Sequence, residues 1–149
     1  MKHVILPLIS ILFSYCVQAQ FIAKVQMKEK VEGICDLDNV YGLFDGFDGQ
    51  VTPKCSVSEE EMQKQLNQIQ FLKDNPKYKG KGMVAVYVNC KGEAIGWRIS
   101  VETKEELDQE LLDVFKTYLD WSAGTLNGKK VDSNVLISYK IKKGKLTIE

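Results

Sequence analysis

Two boxes of the form S/T-x-x-E, Ser58–Glu61 and Thr103–Glu106, each precede a helical repeat, with two runs of β formers between them. In such a box the hydroxyl and the glutamate each satisfy a backbone N–H that a helix start leaves open. After Ser58, Met62, Leu66, Ile69 and Leu72 recur at helical spacing, and glutamates fill the first turn, where the helix dipole favours them. Asn75-Pro76 ends that helix. After Thr103, Leu107, Leu111, Val114, Phe115 and Tyr118 form a second stripe, with Glu105, Asp108, Asp113 and Lys116 on a solvated face.

Between the boxes, Val84, Val86 and Val88 alternate with Met83, Ala85 and Tyr87, so both faces are apolar and the strand reads as central. Lys91-Gly92 turns the chain, and Ile95, Trp97, Ile99 and Val101 form a half-buried strand with Trp97 as a packing residue. Beyond Trp121, Gly124, Asn127-Gly128 and Lys129-Lys130 read as a loop. Val135, Ile137, Tyr139 and Ile141 then alternate in a strand, Lys143-Gly144 turns, and Leu146–Ile148 reads as a short last strand. The order α-β-β-α-β-β predicts an α+β domain over residues 56–149. Its expected form is a two-layer sandwich, an antiparallel sheet of three to four strands with both helices on one face.

Residues 1–19 carry Lys2 and His3, an apolar run from Val4 to Val17 and the small residues Val17 and Ala19, the pattern of a cleaved export signal. A spanning helix needs about 20 apolar residues, and this run is shorter and contains Pro7. Tyr15 is too bulky to precede a lipidated Cys16. Residues 20–55 read as an N-terminal arm and a Gly/Asp-rich loop containing Phe44-Asp45-Gly46-Phe47-Asp48-Gly49. Calcium would want that repeat in the order D-x-D-x-D-G with a later glutamate, whereas Asp-Gly pairs favour turns.

Loss of the leader removes His3, the sole histidine, so no Ser-His-Asp or Cys-His pair and no histidine metal ligand is left. It also leaves acids exceeding bases by one, which gives no basic field for nucleic acid. The expectation is a chain without catalysis, cofactor, metal or small-molecule substrate. In an oxidising compartment, Cys35, Cys55 and Cys90 predict one disulfide and one spare thiol. A helix of about fifteen residues and a strand of about seven both measure roughly 23 Å. A chain that doubles back would therefore bring Cys90 to Cys55, the pairing favoured here with the others left open.

The ordered set Gly82, Met83–Val88, Asn89-Cys90-Lys91-Gly92, Trp121, Gly124 and Leu126-Asn127-Gly128-Lys129-Lys130-Val131 resembles the C-terminal domain of TonB-type energy transducers, from near Ser58 to Ile141. Ala123 stands where many members of that family have proline, and the short arm is not a Pro-rich spacer. The resemblance implies a protein of the periplasm or cell envelope of a Gram-negative bacterium. Its partner would be a protein such as an outer-membrane TonB-dependent receptor, bound by strand addition. The matching partner-strand edge is Val135, Ile137, Tyr139 and Ile141, over which Leu146–Glu149 can fold back. The alternative is a stand-alone binding or structural module of the envelope with no energy-coupling role.

Overall fold

A computed structural model describes residues 21–27 and 31–149; the expected export signal over residues 1–19 and the Lys28-Glu29-Lys30 interruption lie outside the described residues. The chain runs through β1 (Ala23–Val25), β2 (Val40–Gly42), β3 (Gln50–Val51), α1 (Glu59–Leu66), α2 (Gln70–Asp74), β4 (Gly80–Val88), β5 (Ala94–Val101), α3 (Glu105–Phe115), β6 (Gly124–Leu126), β7 (Lys129–Lys142) and β8 (Lys145–Ile148). The α+β class is as expected, but the sheet is mixed rather than antiparallel. Its main path is β1-β2-β7-β4-β5, and β2 lies parallel to β7, with Val40 opposite Asp132.

The first predicted helix breaks in two. Ser58 Oγ accepts the Glu61 N–H at 3.2 Å, the expected start, but the Glu61 carboxylate turns to Gln65 and Lys64 rather than back to Ser58. The break falls at Asn67, whose side chain is taken by β8. Its Nδ2 donates to the carbonyls of Gln63 and Leu146, and its Oδ1 accepts the Leu146 N–H at 2.8 Å. Leu146 is fully buried at that point. The second box does not form either. Lys104 occupies the N-cap of α3 without a side-chain bond, while Asp108 accepts from both the N–H and the hydroxyl of Thr103. Asp108 is therefore buried, not solvated, because those donors and the Tyr139 hydroxyl compensate its lost water.

β4 is central as predicted, between β5 and β7, with Val84, Val86 and Val88 buried in one core with Met62, Leu66, Leu72, Leu107, Leu111 and Phe115. A register shift between Met83 and Val84 inserts Ser100 as an extra residue in β5. Ile99 thus pairs with Val84, while Val101 pairs with Met83 and points to the opposite side. The predicted loop after Gly124 is instead the hairpin β6–β7. Asn127 and Gly128 both have positive φ, 51° and 76°, as a two-residue primed turn requires.

Candidate functional site

β7 was expected to present an open edge along Val135–Ile141. It is instead the middle of the sheet: β4 pairs with Ser133–Ile141 on one side, while on the other β2 covers Asp132–Asn134 and β8 covers Tyr139–Lys142. Tyr139 and Ile141 are buried, and Val135 and Ile137 are half-buried. Only residues 135–138 lack a strand neighbour on that side, and the Glu149 N–H already donates to the Ser138 carbonyl. Leu146–Ile148 does lie antiparallel over β7, with Leu146 opposite Ile141.

Among the described residues the sheet leaves a different long strand open. β5 pairs with β4 alone; its first residue, Ala94, donates to the Leu119 carbonyl, and no strand follows Ile95–Val101 on its outer side. Arg98, Ser100 and Val101 are exposed there.

Beside this edge, on the side of the sheet away from the valine row, lies an apolar groove of about 650 Å³. Val25, Leu43, Phe44, Met83, Val101 and Leu136 supply its walls, with Thr52, Arg98, Ser100 and Asn134 as its polar groups. Arg98 and Leu136 flank Ala85 in one cross-strand row. Leu136 is 55% and Val101 46% exposed, so both offer apolar surface to the groove. Phe44 continues into an exposed cluster with Phe21 and Phe47, ring centroids 5.8–6.0 Å apart. Phe44 and Phe47 come from the repeated Phe-Asp-Gly, whose Gly46 and Gly49 have positive φ. The repeat's Asp45 is spent on the Thr52 hydroxyl and N–H. Asp36 accepts from Asn39 and Asp38, and those bonds, the Asn39 amide first, hold its carboxyl below the usual range.

The disulfide joins Cys35 to Cys90, not Cys55 to Cys90. A return of Cys90 to Cys55 requires one unbroken helix between them, and Asn67 interrupts it. What brings Cys35 across is Asp132, a carboxylate only 2% exposed, which accepts the N–H groups of Cys35, Asp36 and Cys90 at 2.7–3.2 Å. Cys35, Cys90 and Asp132 are the described residues' single cluster of three potential metal-ligand groups, but the sulfurs are bonded to each other and the carboxylate is engaged. Cys55 is free, half-buried, and bridged to Trp121 on the wall of a second cleft of about 400 Å³. Burial pushes its thiol up, so it lacks the lowered pKa of a reactive cysteine.

Burial also pushes the hydroxyls of Tyr118 and Tyr139 up to about 12. An unfolded tyrosine ionises near 10, so between pH 10 and 12 the unfolded state binds fewer protons and stability falls as pH rises. Ultraviolet titration should show these two tyrosines ionising near pH 12, or earlier only with loss of the fold. Their ionisation near pH 10 in folded protein would contradict the packing of both hydroxyls.

No described helix is long and apolar enough to cross a membrane. The chain matches no family model, no curated protein and no solved structure.

Proposed function

We propose that this chain is a non-catalytic protein-interaction domain of the bacterial cell envelope, exported by residues 1–19, that binds a partner segment as an added strand. In this reading the helices gather on one face of the sheet, and the partner is a protein of the TonB-dependent receptor kind, as the resemblance implies. The observation that carries it is the outer side of β5, where Ile95–Val101 has main-chain groups without a strand neighbour among the described residues. Main-chain pairing along such an edge supplies affinity, and pockets for alternate side chains supply selectivity. β7 is unsuited, because its open stretch is only four residues long and blocked at each end by β2 and β8.

Hydrogen exchange tests the reading with envelope extract as the source of partner. The partner is first captured on the immobilised chain, and the complex is then exchanged. Backbone amides within Ile95–Val101 should gain protection, and those of β8 should not change. Protection confined to other elements, or capture of nothing, would reject strand addition at β5.

A further inference from the structure

Nineteen of the chain's twenty basic residues are lysines; Arg98 is the sole arginine. It stands on the groove wall and makes no hydrogen bond or ion pair among the described residues. A guanidinium presents a planar fork of donors that matches a carboxylate in a bidentate pair, which an ammonium cannot do. The opposite wall carries a second unspent group. Asn134 Oδ1 is buried and has no hydrogen-bond partner. Buried acceptors are satisfied in native proteins, and a turn of this side chain toward the groove would let an occupant supply the missing donor. Apart from Thr52 and Ser100 the remaining walls are apolar, and about 650 Å³ lies within the range of sites that enclose a small ligand or a few residues.

We propose that the groove captures the C-terminal end of an extended apolar peptide, its carboxylate on the Arg98 guanidinium and one of its N–H groups on Asn134 Oδ1. Arg98 and Leu136 lie two strand spacings apart, about 10 Å, which an extended chain covers in about three residues. Apolar side chains of the peptide would then cover Leu136 and Val101. The Phe44 end of the groove carries Asp45 as its sequence neighbour, so the carboxylate is directed to the Arg98 end. A peptide is favoured over an acyl chain by the Asn134 acceptor, for which methylene groups have nothing to donate.

The inference rests on the protein-interaction reading, and C-terminally displayed random peptides panned against the full chain test it. Enriched sequences should be apolar over their last residues, and a synthetic lead should lose at least tenfold in affinity when its carboxylate is amidated. Arg98→Gln and Leu136→Glu should each weaken the acid form at least tenfold. Both side chains are exposed, so the thermal midpoints of the variants should match that of the unaltered chain. An amidated lead that binds as tightly as the acid, or binding indifferent to Arg98→Gln, overturns the proposal. Displacement of the lead by dodecanoate at concentrations below the lead's own Kd also overturns it, in favour of an acyl-chain site. So does self-association of the chain abolished by Leu136→Glu, in favour of a second copy. Amide protection along β5 without any carboxylate dependence would sink the groove and leave strand addition standing; carboxylate dependence without that protection would do the reverse.

Discussion

Reduction of Cys35–Cys90 is expected to destabilise the chain by about 4 kcal/mol, from the entropy returned to an unfolded chain no longer closed into a loop. The sequence separation of 55 residues sets that size. For a domain of this length the loss should lower the thermal midpoint by roughly 10 °C. The Cys35→Ser/Cys90→Ser double variant should melt where the reduced protein melts, and reductant should not move the variant further. Cys55 takes no part, so Cys55→Ser should keep the full sensitivity to reductant. A midpoint unmoved by reductant, with peptide mapping showing both thiols free, would remove the disulfide from any account of stability. The bond ties the segment before β2 to the β4–β5 turn, joining residues distant in sequence beside the strand that anchors the sheet.

Legibility in the sequence follows how local each cause is. β4 could be read because alternation leaves both of its faces apolar, a signal carried entirely by neighbouring residues. The Ser58 cap could be read for the same reason. β2 and β3 span three and two residues among glycines and aspartates, too short for a period to show, and they exist through pairing with β7 and β6. The helix break depends on Asn67 meeting Leu146, 79 positions away. Asn127-Gly128 did carry a hairpin signal. The lysines beyond it disguised a strand whose first residues are exposed. Alternation identifies a strand but not its neighbours, so nothing local showed that Val135–Ile141 lies inside the sheet while β5 pairs with β4 alone among the described residues. The Arg98 groove had one trace in the sequence, a lone arginine among lysines, but only cross-strand register sets Arg98 and Leu136 on either side of Ala85.

Asp132 is the residue whose importance is most non-local, and replacing it should be nearly as costly as losing the disulfide. Its carboxylate accepts three backbone N–H groups, two of them from positions 96 and 97 residues earlier in the chain. Truncation leaves those donors part-buried without an acceptor, and each unsatisfied group costs about 1–3 kcal/mol. Solvent reaches the exposed Cys35 and Asp36 and relieves part of this. The expected loss for Asp132→Ala is therefore about 3 kcal/mol, read as a lower urea midpoint at unchanged slope. Asp132→Asn should fare little better, since it retains one acceptor oxygen and turns an NH₂ group toward N–H donors. The carboxylate and the disulfide hold the same segment, so their effects should not add. In the Cys35→Ser/Cys90→Ser background the segment is already released, and Asp132→Ala should cost at least 1 kcal/mol less than in the intact protein. Full additivity in that double-mutant cycle would mean that Asp132 stabilises the β4–β5 turn through Cys90 alone, and that the approach of Cys35 has another cause.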